Sequence, residues 1–200
     1  ILEEAKKQGT FVVLDESFLD FLSDEGSDYS GLSLVDHFDN LLVLRSLTKF
    51  YALPGLRLGF CCASPSLIEE MELHSDCWNV NSLAQAAGLA GLADKTYQEE
   101  TRRKLPLWQK QMKELLASCD FVESFEPTVN FILRQLTDQR ISAAMLFEKT
   151  SAKGLLIRDG SNFKGLGPSW FRLAIRQEEE NSRAIEILKE SWLQCIEDLK

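Results

Sequence analysis

The run Thr10-Phe11-Val12-Val13-Leu14-Asp15-Glu16 constrains this chain more than any other: a short, nearly unbroken apolar strand that stops at two carboxylates. A half-solvated strand alternates polar and apolar residues. An unbroken run belongs instead to a strand covered on both faces, as in the parallel sheet of an α/β fold. Acids at the carboxyl end of such a strand stand where open α/β sheets take their ligands. A second apolar run, Leu41-Leu42-Val43-Leu44, leads into the hydroxyl-rich turn Ser46-Leu47-Thr48-Lys49. Eight residues after Lys49 comes Arg57, within Pro54-Gly55-Leu56-Arg57-Leu58-Gly59.

These residue types suit one kind of chemistry. A lysine amine becomes nucleophilic where its surroundings disfavour the ammonium form, and it then condenses with an aldehyde such as that of pyridoxal phosphate. The Ser46 and Thr48 hydroxyls can donate to phosphate oxygens, and the Arg57 guanidinium can engage two of them at once. Gly55 and Gly59 allow close backbone approach, and Pro54 stiffens the bend. A carboxylate from Asp15 or Glu16 against the pyridine nitrogen would keep that nitrogen protonated, so that the ring accepts electrons. Singly, each element has a plainer reading. An isolated S-x-T-K is also a surface turn with solvated cations, and Asp15 is also a cap on the loop after its strand.

Together the elements resemble the fold-type I pyridoxal-phosphate enzymes of the aminotransferase class I and II group. The resemblance rests on Asp15-Glu16-Ser17-Phe18, Ser46-Leu47-Thr48-Lys49-Phe50-Tyr51 and Pro54-Gly55-Leu56-Arg57-Leu58-Gly59 in that order, and it continues through Trp78-Asn79-Val80-Asn81-Ser82-Leu83-Ala84 to the carboxyl end. Within the group the likeness is greatest to the threonine-phosphate decarboxylases of cobalamin biosynthesis, then to the histidinol-phosphate aminotransferases.

The resemblance implies an α/β fold of the aspartate aminotransferase type. Residues 1–95 would be the second half of the cofactor-binding large domain, 96–118 a connecting helix and 119–200 a small α+β domain. It implies pyridoxal 5'-phosphate as cofactor. Lys49 would bind its aldehyde, Asp15 would face its pyridine nitrogen, and Ser46, Thr48 and Arg57 would hold its phosphate. Arg172, in Trp170-Phe171-Arg172-Leu173-Ala174-Ile175-Arg176, matches the arginine for the substrate's α-carboxylate. Arg158, in Leu155-Leu156-Ile157-Arg158-Asp159-Gly160, matches an arginine near the substrate's phosphate, and both are expected at strand ends. Surface ion pairing is the plainer reading of these two. Two fixed arginines suit a doubly anionic small molecule, an amino-acid phosphate.

The expected reaction is decarboxylation of threonine phosphate. Transamination by a class I/II aminotransferase is the alternative, and a non-catalytic binding module that retains the fold is a third reading. Many relatives carry a tyrosine three residues after the aspartate, whose hydroxyl bonds the cofactor's ring oxygen. This chain has Phe18, which tilts the resemblance toward the decarboxylases. The motifs all belong to the second half of the usual enzyme. The first half supplies a glycine-rich helix start, an aromatic ring stacked on the cofactor, an asparagine and a tyrosine lent to the neighbouring subunit. The chain is therefore expected to be part of a longer, cytoplasmic, homodimeric parent.

Composition sets outer limits. With 200 residues, 44% of them hydrophobic, the chain can bury a sizeable core. Thirty-one acids against twenty-two bases give a net charge of -9, which argues against nucleic-acid binding through a basic face. Five cysteines without a C-x-x-C pair indicate neither a disulfide framework nor zinc, and are expected to be reduced core thiols. His37 and His74 stand alone, so no metal is expected. No apolar stretch approaches eighteen residues, so no membrane segment is expected.

Periodicity places strands at 10–15, 41–45, 58–63, 121–123, 130–134, 155–158 and 171–175. Helices are expected from Pro65, after Asn81 or Ser82, over 96–118 with a bend or break at Pro106, over 142–153, and from Glu178-Glu179-Glu180 to the end.

Overall fold

The strands β1 (Val12–Asp15) and β2 (Leu41–Ser46) pair in parallel, with Val12 opposite Leu41 and Asp15 opposite Leu44, so their carboxyl ends emerge side by side. The fold is that of a computed structural model, which describes residues 1–22 and 28–200, apart from the side chain of Ser124. A short helix, α1 (Leu2–Lys7), precedes β1. The next strand, β3 (Gly59–Ala63), returns antiparallel to β2, with Ser46 opposite Gly59 and Leu42 opposite Ala63. Its connection carries no helix, and a parallel return would need a crossover.

Leu41, Val43 and Val35 form a buried cluster against which Leu2, Val12, Leu14, Phe38 and Cys62 pack. The first strand differs from its sequence reading. Val13 is 55% exposed and Phe11, just before the strand, 45%, because one face of β1 is uncovered among the described residues. Its apolar run therefore behaves as a half-buried strand.

Two helices follow. The first, α2 (Pro65–Leu73), starts with proline in its opening turn, where the missing donor costs nothing. The second, α3 (Ser82–Ala93), is capped by Asn81, whose side chain accepts from the Ala84 N–H at 2.9 Å. Its small residues let it approach Leu47 and Leu58 at Gly88.

The chain divides into two compact units, residues 1–102 and 103–200, and the boundary falls within α4 (Lys95–Leu116). Pro106 lies inside this helix and does not end it. A proline there removes one backbone bond, at a cost of about 3 kcal/mol. The surrounding Lys, Gln, Glu, Arg and Leu residues favour helix, and burial of Leu105, Met112 and Leu116 holds the segment in place.

The second unit has an antiparallel sheet of β4 (Val122–Ser124), β5 (Phe131–Leu136), β6 (Arg158–Asp159) and β7 (Trp170–Ala174), in the order β4-β5-β7-β6. Two helices complete it: α5 (Ala143–Ala152), capped by Ser142, and α6 (Glu178–Glu197), whose first turn holds three glutamates at the positive end of the dipole. Ile132, Leu136, Phe171, Leu173, Ile185 and Leu188 are buried in this unit, each contributing about 1.5–3 kcal/mol. The strand expected over 155–158 shrinks to Arg158 and Asp159, with Leu156 left 72% exposed.

One charged side chain shares that core. Arg134 is fully buried, and its Nη1 donates to the Phe125 and Leu133 carbonyl oxygens at 3.3 and 3.4 Å. Its Nε and Nη2 have no partner, and it forms no ion pair among the described residues. Burial pushes its pKa down to about 10.

Cys119 and Cys195 are buried as expected of core thiols, but Cys61 and Cys62 are half-buried and Cys77 is exposed. Among the described residues, no group of His, Cys, Asp and Glu is arranged to hold a metal ion, and no helix is long and apolar enough to cross a membrane.

Candidate active site

The turn after β2 is held by what it buries. Leu47, Thr48 and Phe50 are buried and Lys49, between them, is exposed, so the backbone is anchored on both sides of the lysine. The Phe50 ring meets Phe21, Tyr51 and Tyr97 edge-on at 5.3, 5.1 and 6.0 Å, and the Arg102 guanidinium lies 5.2 Å from its centroid. The Tyr97 hydroxyl donates to the Phe50 carbonyl oxygen at 2.6 Å. Residues far along the chain thus fix the position immediately after Lys49.

Three of the sequence-predicted residues meet directly. Lys49 Nζ donates to Thr48 Oγ1 at 2.8 Å, and Thr48 Oγ1 shares a 2.7 Å hydrogen bond with Ser46 Oγ. The Lys49 ammonium also sits 5.4 Å from the centroid of the Phe18 ring. Asp15 ends the neighbouring strand. The Ser17 hydroxyl and then the Ser17 N–H, at 2.9 Å from Oδ1, hold its carboxyl below the usual carboxylate range, and the Lys49 charge adds to this. Asp15 is therefore an anion at neutral pH. An amine, two hydroxyls and a carboxylate converge at the carboxyl ends of two parallel strands.

The glycines divide. A Cβ on Gly59 would lie 2.6 Å from the Arg45 carbonyl oxygen, so only glycine lets β3 close on β2 beside Ser46. Gly55, expected to serve the same purpose, faces open space. Arg57 adopts the left-handed conformation, with φ at 55°, as does Ala52 at 53°. Such values in residues other than glycine cluster at functional sites. The Arg57 Nη1 donates to the Pro54 carbonyl oxygen at 3.1 Å, and the side chain makes no hydrogen bond to Ser46, Thr48 or Lys49.

In the second unit, Arg158 and Arg172 stand directly opposite each other on β6 and β7. Arg158 opens its strand, but Arg172 lies in the middle of β7 and not at its end, because β7 pairs on both sides, with β5 and with β6. Arg158 Nη2 donates to Asn162 Oδ1 at 3.1 Å and its guanidinium lies 5.5 Å from the Phe163 ring centroid. The Arg172 guanidinium lies 4.5 Å from that of Phe131. Neither arginine forms an ion pair among the described residues. Two like charges placed opposite on adjacent strands repel, and an anion bound to both would relieve that repulsion.

Sequence reasoning passed over several residues. Ser17 carries a readable signal, since D-x-S marks a side chain that bonds backbone two residues on. Arg45 left no signal, because its partner Glu16 is 29 positions away. Asn162, Phe163 and Phe131 became visible only once the strands were paired.

Comparison with known proteins gives a consistent result. A family profile described as aminotransferase class I and II matches residues 1–188. A protein of Caldanaerobacter subterraneus subsp. tengcongensis, provisionally assigned as a threonine-phosphate decarboxylase, is 38% identical over 189 residues, covering 94% of this chain and 51% of its own length. The L-threonine-O-3-phosphate decarboxylase structure from Porphyromonas gingivalis superimposes with a TM-score of 0.82 at 28% identity, over 96% of this chain and 57% of its own. The histidinol-phosphate aminotransferase structure from Clostridium acetobutylicum gives 0.86, also at 28% identity, over 94% and 56%. The chain thus spans about half the length of the relatives it matches. It belongs to the aminotransferase class I and II family.

Proposed function

We infer that this chain is part of a longer pyridoxal-phosphate enzyme that decarboxylates an amino-acid phosphate, with threonine phosphate as its substrate. The single observation that carries the reading is the hydrogen-bonded chain from Lys49 through Thr48 to Ser46, set beside an ionised Asp15. Pyridoxal phosphate is the cofactor of the family. The donor set fits it: an amine for the aldehyde, hydroxyls for the phosphate and a carboxylate for a protonated ring nitrogen.

In this reading Ser46, Thr48 and Arg57 hold the phosphate, Asp15 keeps the ring nitrogen charged and Lys49 binds the aldehyde carbon. Bound there, the cofactor supplies an electron sink that weakens the bonds of the substrate's α-carbon. Arg172 takes the substrate's α-carboxylate and Arg158 its phosphate. Two guanidiniums that held both anionic groups of the substrate would fix the orientation of its α-carbon bonds, which selects the bond that breaks. Where that orientation directs loss of the carboxylate, the substrate would release carbon dioxide and its α-carbon would take a proton from an acid, the Lys49 ammonium or a water, giving aminopropanol phosphate. The longer protein would act as a homodimer.

A second reading, transamination as in histidinol-phosphate aminotransferases, is favoured by the higher TM-score to that structure. It would differ in which α-carbon bond is weakened, with the Lys49 amine then removing the α-proton. Phe18, close to the Lys49 ammonium and without a hydroxyl, favours decarboxylation. The test is to supply the full-length protein with threonine phosphate and measure carbon dioxide, then with histidinol phosphate plus 2-oxoglutarate and measure glutamate. Gas release with threonine phosphate is expected. Glutamate without gas release would replace the first reading by the second, and neither activity with no retained cofactor would leave a binding module.

A further inference from the structure

Immediately beside the two chemical ends of the site lies an ion pair between a buried carboxylate and a half-buried guanidinium that the chemistry above does not use. Glu16 follows Asp15 and is 5% exposed, while Arg45 precedes Ser46. Arg45 Nη2 lies 2.8 Å from Glu16 Oε2, and its Nη1 lies 3.0 Å from Asp20 Oδ1, so one guanidinium holds two carboxylates. Glu16 accepts two further hydrogen bonds, from the Gly31 N–H at 2.5 Å and the Ser30 hydroxyl at 3.1 Å. Arg45 Nη2 also donates to Ser30 Oγ at 3.1 Å.

The effect is geometric. The parallel ladder runs one residue past β1, with the Glu16 N–H bonded to the Leu44 carbonyl oxygen at 2.9 Å. There the pairing of β1 with β2 ends: β2 runs on to Ser46, opposite Gly59 of β3, and the segments carrying Ser17 and Leu47–Lys49 leave the sheet on separate loops. Beyond it, no pairing of β1 with β2 relates those two loops. The side-chain bridge from Glu16 to Arg45 crosses the gap one residue from each, and the Asp20 and Ser30 contacts tie the loop after β1 to the same guanidinium. A strand slipped by one residue would turn Asp15 to the other face, and only the paired register lets this bridge close.

We propose that Glu16 and Arg45 are positioning residues, a clamp that sets the Asp15 carboxylate against the Lys49 amine. The proposal rests on the roles given above to Asp15 and Lys49. A clamp of buried charges is strongly weakened by loss of one partner, whereas replacement of both by apolar residues of similar size can restore stability. Stability and positioning can therefore be separated.

The experiment compares wild type with Glu16→Gln, Arg45→Met and the double variant Glu16→Met/Arg45→Met in the full-length protein. Cofactor-free samples are read by melting temperature and by hydrogen exchange of the amides over residues 15–20 and 45–50. Cofactor-loaded samples are read by kcat and KM. The expected result is that both single variants melt lower and exchange at least tenfold faster over those two segments. The double variant should regain most of the melting temperature, keep the fast exchange, and show kcat at least tenfold below wild type with KM within about threefold. Recovery of exchange and kcat together with stability would mean that the pair only holds the fold, and would overturn the clamp, as would unchanged exchange in the single variants. If the wild type retains no pyridoxal phosphate, the proposed function fails. The exchange data from cofactor-free protein still decide whether the pair orders the two loops.

Discussion

The Lys49 amine and the Thr48 hydroxyl are hydrogen-bonded at 2.8 Å, and Thr48 is itself 6% exposed, so a buried, fixed oxygen holds the tip of an exposed, flexible side chain. Replacement of Thr48 by Val keeps its shape and removes that oxygen together with the bond to Ser46. A hydrogen bond to a charged group is worth about 1.5–3 kcal/mol. Thr48→Val should therefore weaken pyridoxal-phosphate binding by about 10- to 100-fold, read by equilibrium dialysis, and Ser46→Ala should have a smaller effect in the same direction.

Asp15 titrates below the usual carboxylate range, held there first by the Ser17 hydroxyl and N–H and then by Lys49. A carboxyl with a depressed folded pKa stabilises the fold above its unfolded pKa, and that contribution is lost as pH falls through the folded value. The Asp15 side-chain carbon signal should therefore titrate at a lower pH than an ordinary aspartate by NMR. Ser17→Ala should raise the midpoint, and Lys49→Ala should raise it less.

Much of this arrangement is readable without coordinates, and the limits are physical. Asp15 and Lys49 end or follow apolar runs, and the residues between Pro54 and Gly59 are turn formers, so both loops announce themselves locally. The uncovered face of β1 did not, because an apolar run looks the same whether one or both faces are buried. Pro106 misled for a similar reason: propensity reports the lost donor and cannot see the burial of Leu105 and Met112 that keeps the helix intact. The Glu16–Arg45 pair depends on strand register, which no local pattern encodes.

Arg134 offers a test of the second unit's core. A buried guanidinium with two unpartnered nitrogens carries an uncompensated desolvation cost, and its pKa of about 10 means that this cost is present at neutral pH and eases only as pH rises through that value. Arg134→Met should raise stability by about 1–4 kcal/mol, seen as a higher denaturant midpoint with an unchanged slope. A lower midpoint would show that the two long hydrogen bonds to main-chain carbonyls outweigh the desolvation.

Arg158 and Arg172 face each other across β6 and β7, and the proposed roles differ by ligand group. Arg172→Lys loses the planar fork and should lower kcat/KM about 10- to 100-fold for every substrate. Arg158→Ala should lower it to a similar degree for threonine phosphate and hardly at all for threonine, measured side by side. Equal losses on both substrates would assign Arg158 to the fold and not to the phosphate.

The most direct measurement is reduction of the full-length, cofactor-loaded protein with borohydride, followed by peptide mass mapping. The account predicts a pyridoxyl phosphate adduct on Lys49, with loss of the visible absorbance and no adduct in Lys49→Ala. An adduct on another lysine, or none in a protein that is folded and saturated with the cofactor, would contradict it.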